Sequence, residues 1–266
     1  EPEPVMHEGD QVEPAELLEV VWVNGCPFGA QQLGKARISE LESLRNHELF
    51  TWVDKGDVRE KEDPMSVRWV DRDKGPDIKS RLVARGFEDQ SESETYSPTA
   101  APVSWRLLLA IEASRRESLS REYLAKRGML TADVSTAFLH ASRSESLLVQ
   151  PPEEARAWAV ERGDLTRTQA DRSVWRVTKA LYGLKESPKD WHQHLVALLC
   201  RLGSRPLLRD ACIFVRSEVV MIVHVDDFLA CGLLSEINEF FTEIARELTL
   251  KVKSHSGVTA AEHVYL

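Results

Sequence analysis

Apolar and polar positions along the 266-residue chain switch between two spacings, and the switches mark the elements. From Ile38 the stretch ISELESLRNHELF has the spacing of an amphipathic helix, with Ser39 as its cap. Residues 66–86, SVRWVDRDKGPDIKSRLVARG, predict a hairpin: VRWV, a polar turn, then IKSRLVA with alternating basic side chains. SPTAAPVSWRLLLAIEASRR opens on turn residues and becomes a helix, with Leu107, Leu108 and Ile111 at near-helical spacing. LTADVSTAFLHA predicts a short strand ending near Asp133, then a turn or helix start. Residues 151–173, charged and Pro-containing, read as a surface insertion. VWRVTKALYGLK is strand-like and turns at Gly183, after which Ser187 and Pro188 open a helix that runs through Leu202. ACIFVRSEVVMIVHVDDFLACG predicts a strand, a tight turn at Ser217–Glu218, a second strand, and another turn at Asp226–Asp227. SEINEFFTEIARELTL closes as an amphipathic helix capped by Ser235. Hairpins interleaved with helices require antiparallel pairing, so the pattern predicts an α+β fold and not a doubly wound sheet.

Composition changes this picture little. Apolar residues make up 42% and charged residues 29%, as in ordinary soluble globular proteins. No apolar run is long enough to span a bilayer, and no signal pattern opens the chain, whose first residue is Glu1. That start suggests a fragment or a processed product. Cys26, Cys200, Cys212 and Cys231 form no CxxC pair, which fits a reduced, intracellular protein without structural zinc. His192 and His194 are two apart, so a helix turns them to different sides, and both are expected to face solvent.

The net charge of −9 argues at first against a nucleic-acid partner. Its distribution weakens that objection. Residues 1–20 hold seven acidic residues and no Lys or Arg, reading as a disordered acidic leader, and the remainder is close to neutral. Between Arg68 and Arg85, six basic residues face three aspartates, a local basic patch.

The chemistry is concentrated in VVMIVHVDDFLACG, residues 219–232. Burying unpaired charge costs several kcal/mol. Asp226 and Asp227, inside an apolar strand signal, must therefore sit at an exposed turn, be protonated, or face cations. Mg²⁺, a hard ion that takes carboxylates and substrate phosphates, answers the last case. A third carboxylate at another strand end would allow two ions, and Asp133 in TADVSTAF is the candidate. Each signal also has a plain structural account. Asp-Asp is common in turns, Asp133 suits a helix N-cap, and a basic strand face is usually just solvated.

Taken in order, the blocks resemble one family. KSRLVARGF (Lys79–Phe87), YSPTAAPVSWRLLLAIEAS, ADVSTAFLHA (Ala132–Ala141) with the following VQPPE, KALYGLKESPKDWH (Lys179–His192), DACIFV and HVDDFLACG resemble the reverse transcriptase of copia-type LTR retrotransposons, from about Leu49 onward. The resemblance implies a fingers–palm polymerase fold, with helices on one face of an antiparallel palm sheet. Residues 1–48 become a leader and 49–266 the fingers and palm, with thumb, connection and RNase H largely absent. It implies an RNA-directed DNA polymerase using two Mg²⁺ ions, with Mn²⁺ as a possible substitute. Asp133, Asp226 and Asp227 would be the catalytic, metal-binding residues. Lys79 and Arg81 would grip the triphosphate of an incoming dNTP. The backbone at Ala137 and Phe138 would lie under its sugar and phosphates, with the Phe138 ring as a gate against a ribose 2′-hydroxyl. Gly183 would allow close backbone approach to template or nucleotide, and Lys185 would contact a template phosphate or solvent.

The implied partners are an RNA or DNA template–primer, dNTPs and other Pol segments such as integrase and RNase H, with no membrane. The implied location is cytoplasmic particles or the nucleus. Two positions depart from the family pattern. His224 stands where Tyr is usual, and Glu186 where Gln is usual, the latter adding negative charge near a nucleic-acid path. These departures keep open a degenerate or host-retained copy that only binds nucleic acid or protein. A phosphodiesterase built on the same carboxylates is a third reading.

Overall fold

The computed structural model describes residues 20–23, 26–58, 63–89 and 93–257. Residues 1–19, nearly all of the acidic leader, lie outside them. In chain order the elements are β1 (Val20–Val23), β2 (Cys26–Gly29), α1 (Ala30–Asn46), β3 (Phe50–Asp54), β4 (Val67–Asp73) and β5 (Ile78–Ala84). Then come α2 (Pro102–Ser118), α3 (Arg121–Leu124), β6 (Arg127–Val134), α4 (Ala137–His140), β7 (Ser142–Val149), α5 (Glu153–Glu161), α6 (Arg167–Arg172) and β8 (Ser173–Lys179). The chain continues through α7 (Ser187–Arg201), β9 (Arg205–Leu207), β10 (Asp210–Arg216), β11 (Val219–His224), β12 (Asp227–Leu233), α8 (Leu234–Ile244) and β13 (Leu250–Gly257).

The centre is a six-stranded sheet, ordered β13-β6-β12-β11-β10-β9 and antiparallel throughout. One face carries Leu130, Ala132, Met221, Val223 and Phe228, packed under Trp191, Leu195 and Leu198 of α7 and Ile237, Phe240 and Ile244 of α8. Helices do not keep to that one face. Ile222, Leu229 and Cys231 point the other way, and Leu108 and Trp105 of α2 cover them. Strand alternation explains the arrangement, because every residue of β12 up to Gly232 is buried and both of its faces need a partner. On α2 only Leu108 is core, while Leu107 and Ile111 face outward. A buried ion pair ties α2 to the start of β6: the Arg127 Nη2 and Nε atoms donate to Glu112 at 2.8 and 3.1 Å. This paired, bidentate geometry makes the burial of both charges tolerable.

A second core joins the three-stranded sheet β3-β8-β7, the β4–β5 ribbon, α1 and α5 around Leu41, Leu44, Leu82, Trp158 and Trp175. Three sequence expectations change here. The first helix begins at Ala30 with Gly29 as N-cap, so Ser39 is interior to it and residues 30–46 belong to the folded body. Residues 151–173 are not merely a surface insertion. They form α5 and α6, whose Ala155, Trp158, Ala159 and Ala170 are buried. The last helix is capped at Leu233, not Ser235, and ends at Ile244, leaving the following residues to form β13.

His192 and His194 are half-buried, not solvent-facing, and burial lowers the pKa of each. Among the described residues no helix is long and apolar enough to cross a membrane.

Candidate active site

β11 and β12 are joined by a turn of two residues, Val225 and Asp226, with His224 paired to Asp227. Val225 takes φ 58°, a left-handed conformation that costs a side-chain-bearing residue about 1–2 kcal/mol. Two hydrogen bonds hold it. Trp191 Nε1 donates to the Val225 carbonyl at 2.6 Å, and the Val134 N–H donates to the Asp226 carbonyl at 2.8 Å. The hairpin tip is thus fastened both to α7 and to the end of β6.

The next strand over supplies a third acid. β12 pairs with β6 so that Asp227 stands directly opposite Asp133. Such partners lie about 4.5–5.5 Å apart at Cα. Asp226, half-buried, has a pKa raised first by burial and then by repulsion from Asp133 and Asp227. Asp227 is only 5% exposed and ion-pairs with Lys253 of β13. That hydrogen bond is the main reason the Lys253 pKa is raised. Lys251, on the same strand, is the register partner of Asp133.

Around the acids lies a cavity of about 300 Å³. β5 contributes Lys79 and Arg81, and the segment leaving β6 contributes Asp133 through Phe138. Tyr182, Val225, Asp226 and Lys251 complete the wall. The Arg81 guanidinium sits 5.0 Å from the Tyr182 ring centre, and Phe138 packs 5.5 Å from it on a tilted plane. Burial pushes the Tyr182 phenol up to about 12, so it is neutral at pH 7. Burial, then the neighbouring Arg81 and Lys251 charges, lower the Lys79 pKa. Three cations thus face two carboxylates across one water-accessible space, a field suited to an anionic ligand.

The left-handed turn at Thr136 (φ 55°, ψ 37°) shapes the cavity floor, because it starts the single-turn helix α4 that carries Ala137 and Phe138. Gly183, φ +87°, does not line the cavity. Its missing Cβ would stand 2.2 Å from the Ala84 carbonyl, so this position lets the β4–β5 ribbon seat against the body. Lys185 is exposed and donates to the Asp89 carbonyl. Glu186 is neutralised locally. Burial works to raise its pKa, but hydrogen bonds from Ser93 and Arg143 and the Arg143 charge bring it below the usual carboxylate range.

Of the sequence candidates, Lys79, Arg81, Asp133, Ala137, Phe138 and Asp226 line one space. Asp227, Gly183 and Lys185 do not line it. Lys251, Lys253 and Tyr182 went unassigned in the sequence. Alternating lysines in LKVKS were the available signal for the first two, in a stretch the sequence reading assigned to no element. The donor set for a metal is all carboxylate oxygen, which suits Mg²⁺ and not zinc. Among the described residues, however, no three acidic, His or Cys side chains converge as a ready-formed metal group. Asp227 is instead ion-paired with Lys253.

Comparison with known proteins places the chain among relatives. The chain is 28% identical over 237 residues to the retrovirus-related Pol polyprotein from transposon TNT 1-94 of Nicotiana tabacum, covering 84% of this chain and 16% of the relative. It is 30% identical over 162 residues to the Pol polyprotein from transposon RE2 of Arabidopsis thaliana, covering 58% of this chain and 10% of that protein. The transposon RE1 polyprotein of the same plant matches to the same extent. The chain therefore spans a sixth or less of the length of these copia-type relatives. Residues 48–258 match the family described as reverse transcriptase (RNA-dependent DNA polymerase), and the chain belongs to that family.

Proposed function

We propose that this chain is the DNA-synthesising core of a copia-type Pol polyprotein, transferring a nucleotide from a dNTP to a primer 3′-hydroxyl on an RNA or DNA template. In this reading the six-stranded sheet is the palm and the β4–β5 ribbon belongs to the fingers. The observation that carries the reading is the register of β6 and β12. It sets Asp133 against Asp227, with Asp226 beside them at a fastened tip, facing Lys79, Arg81 and Lys251.

The residues divide the work by chemistry. Lys79, Arg81 and Lys251 hold the triphosphate oxygens through charge-assisted hydrogen bonds. The backbone of the α4 turn at Ala137 and Phe138 lies under the sugar. The Phe138 ring, backed by Tyr182, excludes a 2′-hydroxyl, the group that separates ribonucleotides from deoxyribonucleotides. Gly183 and Lys185 border the template path. Asp133, Asp226 and Asp227 would hold two Mg²⁺ ions, which when bound activate the primer hydroxyl and neutralise the leaving pyrophosphate. Asp227 would join them on release from its ion pair with Lys253. Template–primer, dNTPs and the other Pol segments are the partners, and the setting is a cytoplasmic particle or the nucleus.

Primer extension on an RNA template tests this. Extension by the wild-type chain with Mg²⁺, lost in Asp226→Asn, is the expected result. No added nucleotide with Mg²⁺ or Mn²⁺, or extension indifferent to Asp226→Asn, refutes it. The pairing of Asp227 with Lys253 favours one second reading, a copy that binds nucleic acid without catalysis. Its mark would be salt-dependent template–primer affinity with no extension.

A further inference from the structure

We propose that His47 is a positioning residue for sugar selection, acting from outside the cavity through the left-handed turn at Thr136. The proposal rests on the polymerase reading above. His47 caps the C-terminus of α1, an element that contributes nothing to the cavity wall. Its ring is fixed at both nitrogens. Nδ1 lies 2.8 Å from the Ser43 carbonyl, which can only accept, so Nδ1 carries a hydrogen. Nε2 lies 3.1 Å from Thr136 Oγ1.

The Thr136 hydroxyl also reaches the Ser135 carbonyl at 2.6 Å, and it has one proton for two acceptors. The Thr136 oxygen thus lies within hydrogen-bonding reach of both the His47 ring and the Ser135 carbonyl. His140 closes the clamp. Its ring packs edge-on to His47 at 4.9 Å. The His47 ring is thus held between Ser43, Thr136 and His140.

A β-branched residue does not rest in the left-handed region unless its surroundings hold it there. The Thr136 carbonyl accepts the Leu139 N–H at 2.9 Å, so the α4 turn is hung from this residue. Two residues on is Phe138. Releasing Thr136 re-aims that ring relative to Tyr182 and loosens the fit around a sugar, while Lys79, Arg81 and the acids keep their places.

The test uses the full chain with four variants. His47→Phe keeps the ring and removes both hydrogen bonds. His47→Gln keeps an amide near the Nε2 position. Thr136→Val removes only the hydroxyl and keeps the branched shape. Phe138→Ala removes the ring under test. Amide hydrogen exchange of segment 135–141 is read first, since it needs no turnover. It should rise about tenfold in His47→Phe and in Thr136→Val, and stay within about threefold in His47→Gln. The ratio of kcat/KM for a dNTP over the matching rNTP should fall about tenfold in His47→Phe and recover in His47→Gln. Adding His47→Phe to Phe138→Ala should lower it no further, because contacting residues on one route are not additive. Unchanged exchange in both His47→Phe and Thr136→Val overturns the clamp. Independent, multiplying effects of His47→Phe and Phe138→Ala overturn the route through Phe138. A wild-type chain that adds no nucleotide overturns the polymerase reading and the sugar-selection role with it. The exchange arm would still decide whether His47 holds the turn.

Discussion

Gly183→Ala isolates how the β4–β5 ribbon is joined to the body. A Cβ at this position would stand 2.2 Å from the Ala84 carbonyl oxygen and 2.5 Å from Val83 Cγ1, at φ +87°. The same junction carries the Ala84 N–H donating to the Tyr182 carbonyl at 2.8 Å, and Gly86 packs back against the Gly183 carbonyl. The substitution must push β5 outward, stretch that hydrogen bond and strain its own backbone. Overpacking, one hydrogen bond and a left-handed alanine together amount to about 4 kcal/mol. Gly75 is the control. Its φ is +82° with open space around it, so Gly75→Ala feels only the backbone term, about 1 kcal/mol. The difference of about 3 kcal/mol corresponds to a melting temperature about 6–12 °C lower for a domain of this size. Thermal unfolding by circular dichroism reads it. Because β5 carries Lys79 and Arg81, nucleotide KM should rise in Gly183→Ala and not in Gly75→Ala. Equal melting temperatures for the two variants would refute the reasoning, since the contact would then carry no energy.

Lys253→Met leaves the buried Asp227 carboxylate unpaired. In EDTA it should destabilise the chain by about 1–2 kcal/mol, discounted because the lysine is partly exposed, with Mg²⁺ restoring more stability than in wild type. Melting with and without Mg²⁺ checks both. Burial, then the neighbouring His47, lowers the His140 pKa from 6.5 to about 4. The unfolded chain therefore binds a proton that the folded one refuses, and stability falls as pH drops from 6.5 toward 4. About 1–2 kcal/mol is lost by pH 5, allowing for partial exposure, and His140→Phe should flatten that limb in pH-dependent urea titrations. Burial raises the Cys212 thiol to about 11 and the Cys231 thiol to about 12, so their thiolate fractions are negligible at pH 8. A thiol reagent should label the exposed Cys200 well before either of them, and mass spectrometry of time points reads the order.

The sequence exposed what is decided locally. The hairpin at 219–232 and the helix from Ser187 were readable because apolar spacing and turn residues agree there with the final packing. α1 hid its start because its first turn is polar and its cap is a glycine. α5 was masked by charge and Pro-Pro, although its buried side is made of small alanines and Trp158. β13 is the instructive miss. Its pairing with β6 joins residues more than a hundred positions apart, so nothing nearby in the sequence marked it as a strand. With it went Lys251 and Lys253, and hence the counter-charge beside the acids. The adjacency of Asp133 and Asp227 was a guess from strand ends until the register made them partners. His47 could not be found by pattern at all, since its role depends on a fold-level meeting with Thr136.

Both strands that carry the acids have a neighbour on each side, β13 and β12 around β6, β6 and β11 around β12. The ribbon bearing Lys79 and Arg81 has only two strands, each paired along one edge. Substitutions that loosen packing should therefore shift the ribbon before they shift the strands that hold the aspartates.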